Sequence, residues 1–389
     1  MDLAIENSSL EAASQQRLLI ESDTREQIAF SAGCVQGYEG PVLAMSERRL
    51  RVNAQKFKSA MPRVRPHFAV KANPDADILR IFNEEGCCFE IASSAELQAM
   101  IDLGVDLETV FYSNPIKSPA SIRDAAEAGI QWYVVDTPEE VIKIAAIKPD
   151  AKLYVRTEVS NEGSLWPLAG KFGASASGIQ SVIETAKEYD MKITGVTFHV
   201  GSQCTNIKNW IDGIQSAKSI FAQLEASDWT ELLNLGGGYP VQFTGDEPSI
   251  AEIGEAISKE LETIPQSIQV MAEPGRFLAG SAGCLVTQVV GLATRDEKRW
   301  LYLDTGTYGG LMELADGFHS NIISQRTGET GMWTMAGPTC DSIDVFGEHR
   351  LPTNMEVEDV VFITNLGAYC TTCACDFNGF PVPKLVMVD

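Results

Sequence analysis

Basic residues are scarce in this chain of 389 residues. It has 30 lysines and arginines against 53 aspartates and glutamates, which gives a formal net charge of −23. A surface this acidic repels the phosphate backbone of nucleic acids, so we expect no nucleic-acid partner. The same charge mildly attracts small cations, although solubility alone is a sufficient reason for it.

Long apolar runs are also missing. No stretch approaches the roughly 18–20 apolar residues that a membrane helix needs, so no membrane span is predicted. The first residues, MDLAIENSSLEAASQQ, lack the basic start and the apolar centre of a secretory signal peptide. We therefore expect a soluble, cytoplasmic protein.

Histidines and paired cysteine motifs are few. The chain has four histidines and nine cysteines, and an odd cysteine count without a signal peptide favours free thiols over a disulfide framework. Cys370, Cys373 and Cys375 are close in sequence, but no matching Cys/His pair completes the four ligands of a structural zinc site. No metal is predicted.

Between residues 40 and 275, short apolar runs alternate with longer amphipathic segments such as Glu47–Met61. This alternation predicts a parallel sheet with helical crossovers, and its length matches a TIM-like (β/α)₈ barrel of the α/β class. Periodicity leaves a doubly wound open sheet as the alternative. The strand-like runs are His67–Val70, Cys88–Ala92, Val110–Ser113, Trp132–Val135, Lys152–Arg156, Gly195–His199, Leu232–Leu235 and Gln269–Glu273.

After Arg276 the pattern changes. Runs such as Cys284–Val290 and Asp359–Thr364 are separated by turn-rich pieces instead of long helices. Residues 276–389 are therefore predicted to form a mainly β domain, and we assign residues 1–39 to it.

Polar residues of unusual type fall at or just beyond the ends of the predicted barrel strands. In a barrel, the C-terminal ends of the strands meet at one mouth, where the active site lies. Residues far apart in sequence are therefore predicted to share one pocket. They are Lys71, Glu90, Arg156, His199, Gly236–Gly238 and Glu273.

Each of these residues also has an ordinary structural explanation. Lys71 follows an apolar strand, where an amine is costly unless it is paired or used in chemistry. Gly236–Gly238 can close backbone N–H groups around a phosphate, or simply make a tight turn. Glu273 and Arg276 can hold a protonated ring nitrogen and a phosphate, or form a salt bridge. His199 can be a buried structural histidine.

A second reactive pair lies in the predicted β domain. The segment GPTCD over residues 337–341 places the thiol of Cys340 beside the carboxylate of Asp341. Such a pair can serve as a proton donor next to an anchor for a cationic substrate. Most cysteines are simply buried, so this motif is weak by itself.

Taken together, the motifs resemble those of the fold-type III pyridoxal-phosphate (PLP) decarboxylases, the alanine racemase-like barrel group. Within it, the chain is most similar to the bacterial ornithine/lysine decarboxylases. The resemblance runs from about residue 40 to the C-terminus, and the order and spacing of its motifs make chance agreement improbable. The motifs are AVKAN (69–73), FHVGS (198–202), GGG (236–238), EPGR (273–276), GPTCD (337–341) and GAY (367–369).

The resemblance implies a role toward the cofactor for the barrel residues. Lys71 would hold PLP as a Schiff base, His199 would stack on the pyridine ring, and Glu273 would keep the ring nitrogen protonated. The full predicted set of cofactor-binding residues is Lys71, Glu90, Arg156, His199, Ser202, Gly236, Gly237, Gly238, Glu273, Gly275, Arg276 and Tyr369.

The resemblance also implies a head-to-tail homodimer with shared active sites. Cys340, supplied by a partner subunit, would protonate the carbanion that remains after loss of CO₂. Asp341 would bind the distal amine of the substrate. Lys171 would pair with Asp344 across the interface.

Two positions depart from the family pattern. Glu90 stands where an aspartate is usual, and its longer side chain would keep a similar hydrogen bond. Thr305 stands where many members carry an acid that binds the substrate's distal ammonium group, a bond worth about 1.5–3 kcal/mol. We predict that a neighbouring polar residue compensates in the substrate pocket. The candidates are Asp304, Glu313 and Asp316, and the full predicted set of substrate-binding residues is Asp341, Asp304, Thr305, Glu313 and Tyr308.

The resemblance implies decarboxylation of a basic L-amino acid, foremost L-ornithine to putrescine, with lysine to cadaverine as a second activity. The nearest alternative is diaminopimelate decarboxylase, whose substrate carries a distal carboxylate that Asp341 would repel. A racemase of this fold would place an arginine, not Glu273, against the ring nitrogen. The alternative of another class is a non-catalytic PLP-binding regulatory homologue, which should lack Lys71, Cys340 or a phosphate ligand.

Overall fold

The computed structural model describes residues 20–224 and 231–389. These residues divide into two compact units, which we call the barrel unit and the β unit. The barrel unit comprises 51–224, 231–240 and Pro248–Leu278, and the β unit comprises 20–50, Val241–Glu247 and Ala279–Asp389.

The barrel unit contains a closed barrel of eight strands, and every neighbouring pair of strands is parallel. Its interior is filled by large side chains, among them Phe111, Trp132, Tyr154 and Met271. The predicted barrel is therefore confirmed. Its strands are Val64–Ala69, Cys88–Ile91, Phe111–Tyr112, Trp132–Val135, Lys152–Arg156, Lys192–Thr197, Leu232–Asn234 and Gln269–Ala272.

Helices follow the barrel strands, and several begin where the sequence carries a capping residue. Ser118 and Thr137 each accept a hydrogen bond from the backbone three residues later, and a proline occupies the first helical position after each of them. The helices are Glu47–Ala60, Ala76–Glu84, Ser94–Leu103, Pro119–Ala128, Pro138–Ala145, Ala176–Glu188, Lys208–Leu224, Ile250–Leu261 and the short Arg276–Ala279. A separate two-stranded antiparallel sheet pairs Ser164–Trp166 with Ser202–Cys204.

The β unit is built on an eight-stranded sheet, as the mainly β prediction requires. The long strand Gly283–Arg295 lies at its centre and pairs with three other strands. The remaining strands are Val42–Ser46, Lys298–Leu303, Ile322–Ser324, Thr330–Ala336, Val345–Pro352, Val360–Ile363 and Lys384–Val388. The short helical pieces of this unit include Thr307–Leu311 and Met312–Ala315.

The strand Val42–Ser46 lies in a segment that the sequence pattern assigned to the barrel. In the structure it pairs antiparallel with Gly283–Arg295 and parallel with Lys384–Val388. Residues 20–31 form a helix, and Ile28 and Phe30 on it pack against the core of the same sheet. Both ends of the described chain therefore contribute to the β unit, and its first segment runs to Leu50, beyond the predicted boundary at residue 39.

None of the helices in the described ranges combines the length and the apolar character that crossing a membrane requires.

Candidate active site

The predicted barrel residues lie at the C-terminal ends of the parallel strands, and therefore at the same mouth of the barrel. Lys71 is in the turn that follows Val64–Ala69, and Glu90 is near the end of Cys88–Ile91. Arg156 ends its strand, whereas His199, Gly236 and Glu273 follow theirs within a few residues.

Lys71 and Glu90 form an ion pair at this mouth. The ammonium group of Lys71, whose side chain is 44% exposed, contacts Oε1 of Glu90, which is almost completely buried. Burial raises the pKa of Glu90 to about 7, and the negative charge of Glu273 adds to this rise while Lys71 opposes it. The other carboxylate oxygen, Oε2, is buried without a hydrogen-bond partner among the described residues. The site thus holds the amine of Lys71 beside a buried carboxylate whose pKa is raised.

Glu273 is held by neighbours that the sequence analysis did not single out. The hydroxyl of Ser113 lies 2.5 Å from Glu273 Oε1, and Nδ2 of Asn234 donates to the same oxygen at 2.7 Å. Ser113 Oγ is also 2.7 Å from the hydroxyl of Tyr154, which is completely buried. The Glu273 carboxylate is therefore fixed in one orientation.

His199 is a neutral imidazole in this site. Its Nδ1 accepts a hydrogen bond of 3.1 Å from the backbone N–H of Gly201, so the ring proton is on Nε2. Burial, together with the positive charges of Arg156 and Lys71, lowers the pKa of His199 well below its usual value. An uncharged ring can stack on a cationic pyridine ring without repelling it.

The Gly236–Gly238 turn has no room for side chains. A Cβ on Gly236 would lie 2.0 Å from the carbonyl oxygen of Phe198, and one on Gly238 would lie 2.3 Å from that of Gly201. Gly236 and Gly238 also have positive φ angles of 63° and 97°, which favour glycine. The conformation and the packing of the turn therefore both require glycine, and its backbone N–H groups are the groups that could bind a phosphate.

Arg276 and Ser202 bind each other beside this turn. Nη2 of Arg276 lies 3.3 Å from Ser202 Oγ, and its guanidinium carbon lies 5.0 Å from the ring centre of Trp166. The stacked aromatic ring limits the positions available to the guanidinium group. Gly275 directly precedes Arg276. The guanidinium and hydroxyl groups together form a suitable anion-binding pair.

The site residues of the β unit form a separate cluster. The hydroxyl of Tyr308 donates to Oδ2 of Asp341 at 2.6 Å, and the Tyr308 ring stacks on Phe377 with 4.3 Å between ring centres. This hydrogen bond lowers the pKa of Asp341 and raises that of Tyr308 to about 12. Cys340 is exposed, and its backbone N–H donates to the side chain of Asn378 at 3.1 Å.

Two of the other candidate substrate residues, Asp304 and Thr305, form hydrogen bonds to residues of the β unit itself. The carboxylate of Asp304 accepts hydrogen bonds from the hydroxyls of Tyr38 (2.5 Å) and Thr287 (2.6 Å). Thr305 is buried, and its hydroxyl donates to the carbonyl of Gly309 at 3.2 Å. Glu313 is half-buried on the short helix Met312–Ala315. Asp341 therefore stays the strongest candidate for binding a cationic group of the substrate.

Asp344 and Lys171 have different surroundings in the described chain. The carboxylate of Asp344 is buried and accepts hydrogen bonds from the N–H of Thr307 (2.7 Å) and from the N–H and hydroxyl of Thr339 (3.1 and 2.7 Å). Lys171 is exposed, with Nζ 5.1 Å from the ring centre of Phe172. Their pairing across a dimer stays a prediction.

The barrel residues match the chemical groups of PLP one by one. The amine of Lys71 suits an aldehyde, and the oriented carboxylate of Glu273 suits a protonated ring nitrogen. The backbone N–H groups of the Gly236–Gly238 turn, together with Ser202 and Arg276, suit a phosphate. The buried, unpartnered Oε2 of Glu90 is a further acceptor beside the amine. The residues present therefore fit the cofactor.

Sequence reasoning missed Ser113, Asn234, Tyr154 and Trp166, although two of them gave a usable signal. Ser113 and Asn234 occupy ends of predicted strands, which is where the other site residues were found. Tyr154 lies inside a barrel strand and Trp166 ends a strand of the small two-stranded sheet, so their contacts could be found only from the three-dimensional structure.

Comparison with known proteins agrees with this chemistry. The family described as "Pyridoxal-dependent decarboxylase, pyridoxal binding domain" matches residues 47–280. A lysine/ornithine decarboxylase of Selenomonas ruminantium is 32% identical over 356 residues, which cover 90% of this chain and 90% of that protein.

Solved structures of decarboxylases are also similar to this chain. A lysine/ornithine decarboxylase from Vibrio vulnificus complexed with putrescine has a TM-score of 0.86 at 32% identity, over 94% of this chain and 98% of that one. An arginine decarboxylase of Paramecium bursaria Chlorella virus, bound to agmatine, has a TM-score of 0.84 at 26% identity, over 90% and 97%. The chain belongs to the fold-type III PLP-dependent decarboxylase family, and its cofactor is PLP.

Proposed function

We propose that the chain decarboxylates an L-amino acid with a second, distal amino group, namely ornithine or lysine, to give putrescine or cadaverine. The observation that carries this proposal is the carboxylate of Asp341, which Tyr308 keeps ionised through a hydrogen bond of 2.6 Å. It directly follows the exposed thiol of Cys340. A distal ammonium group complements this carboxylate. The putrescine complex of the Vibrio relative supports the same substrate class.

Each barrel residue has a defined task in this proposal. Lys71 would hold the cofactor covalently, the Gly236–Gly238 backbone, Ser202 and Arg276 would bind its phosphate, and Glu273 would accept the ring N–H. Bound PLP supplies the electron sink that stabilises the negative charge left when CO₂ departs. The neutral ring of His199 covers the pyridine without adding a positive charge to it. The predicted cofactor contacts of Glu90, Arg156, Gly275 and Tyr369 complete the set.

Protonation of the substrate carbon is assigned to Cys340. Its thiol would transfer a proton from Sγ to the carbon that has lost CO₂, while Asp341 holds the far end of the substrate. Cys340 is exposed in the described chain. A homodimer in which each subunit supplies Cys340 and Asp341 to the other, with Lys171 opposite Asp344, would cover these side chains.

Mixing two inactive variants tests the shared active site. If the sites are shared, random exchange of Lys71→Ala and Cys340→Ala subunits should restore activity to about a quarter of the wild-type level, because half of the dimers then contain one intact site. No recovery after verified subunit exchange would show that each site is complete within one chain.

The substrate proposal is tested by release of CO₂ from ornithine, lysine, arginine and meso-diaminopimelate. We expect kcat/KM for ornithine or lysine to exceed that for diaminopimelate by about 100-fold or more, because Asp341 repels a distal carboxylate. Activity on diaminopimelate alone would overturn the diamine assignment and leave the decarboxylase family intact.

The cytoplasm is the proposed location. All nine cysteines are free thiols in the structure, and free thiols persist in reducing compartments. Fractionation of cells that express the native gene should recover the protein with cytoplasmic markers, and recovery outside the cytoplasm would contradict this assignment.

A further inference from the structure

Glu273 is the end point of a chain of hydrogen bonds inside the barrel. Ser113 Oγ lies 2.5 Å from Glu273 Oε1 and 2.7 Å from the hydroxyl oxygen of Tyr154. Ser113 has one hydroxyl proton, and an ionised carboxylate only accepts. Ser113 therefore donates to Glu273, and Tyr154 donates to Ser113.

Burial keeps this direction of donation fixed. Burial and the negative charge of Glu273 raise the pKa of Tyr154 well above its usual value, so the phenol stays protonated throughout the physiological pH range. Asn234 donates to the same Glu273 oxygen at 2.7 Å. Ser113 and Asn234 thus both donate to Oε1, which leaves Oε2 for the ring N–H of the cofactor.

The backbone at Ser113 is anchored as firmly as its side chain. The N–H of Ser113 donates to the carbonyl of Ile91 at 2.9 Å. In the following loop, the buried ammonium group of Lys117 donates to the carbonyls of Asn114 (2.9 Å) and Val134 (2.7 Å). The backbone that carries the Ser113 side chain is therefore held between the neighbouring strands Cys88–Ile91 and Trp132–Val135.

We propose that Ser113 and Tyr154 are positioning residues that hold the Glu273 carboxylate aimed at the ring nitrogen of PLP. Two donors on Oε1 give the carboxylate hydrogen bonds in a buried site where an unpaired charge would be costly, and they fix its orientation. A correctly oriented Glu273 keeps the ring nitrogen protonated, which the electron sink requires. The inference rests on the proposed role of Glu273 and on the PLP cofactor, but not on which amino acid is decarboxylated.

Four variants separate this role from a merely structural one. Ser113→Ala removes the link to Glu273, Ser113→Thr keeps the hydroxyl, and Tyr154→Phe removes only the distal donor. The matched control is Tyr133→Phe on the neighbouring strand, because its hydroxyl is equally buried but has no hydrogen-bond partner among the described residues.

The direct readout is the ¹⁵N NMR shift of the ring nitrogen in each variant reconstituted with ¹⁵N-labelled PLP. For Ser113→Ala we expect a shift toward the unprotonated form and kcat lowered about 10- to 100-fold, as expected for a lost hydrogen bond to a charged group. KM should change less than about twofold. Tyr154→Phe should lower kcat about 3- to 10-fold, whereas Ser113→Thr and Tyr133→Phe should stay within about twofold of wild type.

The double variant gives the decisive comparison. Because Tyr154 acts through Ser113, adding Tyr154→Phe to Ser113→Ala should lower kcat no further. Full additivity, an unchanged ¹⁵N shift in folded Ser113→Ala, or equal effects of Tyr154→Phe and Tyr133→Phe would each overturn the proposal. The ¹⁵N shift needs no substrate, so an error in the substrate assignment would leave this test intact.

Discussion

The two units hold their site residues in different ways. In the barrel unit, Glu273 is fixed by Ser113 and Asn234, and Lys71 is paired with a buried glutamate. In the β unit, Cys340 and Ile343 are exposed, with 60% of Ile343 accessible. A cofactor that is kept through every turnover can be bound by a rigid, buried set of groups. Residues that meet a substrate which enters and leaves must be accessible in at least one state of the protein.

Among variants that test this difference between the two units, Lys71→Ala should have the largest effect on activity. Loss of the covalent amine should abolish the absorbance of the PLP Schiff base and lower activity by about 10³-fold or more. Lys208→Ala, which removes an exposed lysine paired with Asp212, is the control and should change neither. Retained Schiff-base absorbance in Lys71→Ala would place the reactive lysine elsewhere.

The next largest effect is expected for the stability of the barrel unit. Lys117→Met should lower the free energy of unfolding by about 3–5 kcal/mol, because it leaves the buried Glu140 without one of its cations and removes the donor to three carbonyl groups. Denaturant unfolding measures this loss. The surface ion-pair variant Lys298→Met should cost less than about 1 kcal/mol.

Because Lys117 is buried, we also expect the free energy of unfolding to depend on pH in a defined direction. Burial lowers the pKa of Lys117 to about 8 from its ordinary 10.5, so the unfolded chain binds more protons between these two values. Wild-type stability should therefore rise relative to Lys117→Met as pH increases from 8 to 10.5, by at most about 1.4 kcal/mol per pH unit. If the stability of wild type instead fell relative to that of Lys117→Met between pH 8 and 10.5, the lowered pKa of Lys117 would be contradicted.

A smaller effect is expected from crowding the phosphate turn. A Cβ on Gly237 would lie 2.8 Å from the carbonyl oxygen of Glu273 and 2.9 Å from Nε2 of His199. Gly237→Ala should weaken PLP binding by roughly 10- to 100-fold, because either neighbour must move at a cost of about 1–3 kcal/mol. Gly33→Ala, where a Cβ meets nothing within 4 Å, is the control. Equal PLP affinity in both variants would remove the turn from the cofactor site.

The substitution expected to disturb the folded protein least is in the β unit. Asp341→Asn should raise KM for ornithine or lysine by about 10- to 100-fold, the value of a charge-assisted hydrogen bond, while the free energy of unfolding stays within about 0.5 kcal/mol. Tyr308→Phe should raise KM less, because the carboxylate stays in place. If Asp341→Asn instead lowered PLP affinity with KM unchanged, the division between cofactor and substrate residues would fail.

The barrel was predictable because its strands are short apolar runs between amphipathic helices. The bounds of Trp132–Val135 and Lys152–Arg156 agree with the prediction, and the other strands differ by a few residues at their ends. The strand Val42–Ser46 was placed with the barrel because local pattern cannot show a partner such as Gly283–Arg295, far away in sequence.

The candidate site was predictable where a residue type is unusual for its position. Lys71 and Glu273 are charged groups at the ends of apolar strands, so they attract attention in the sequence. Tyr154 and Lys117 do not, because a tyrosine in a strand and a lysine before a helix are ordinary. Their importance arises from burial, which a sequence pattern does not display.

The strand Val42–Ser46 has a consequence for the order of events during synthesis. The last barrel strand to be made, Gln269–Ala272, pairs with Val64–Ala69 and closes the barrel with more than a hundred residues still to be translated. Val42–Ser46, although made earlier, has no strand partner until Gly283–Arg295 is made, and its second partner, Lys384–Val388, is the last strand of the sheet to be made. The residues that complete the barrel are therefore synthesised before the residues that complete the sheet.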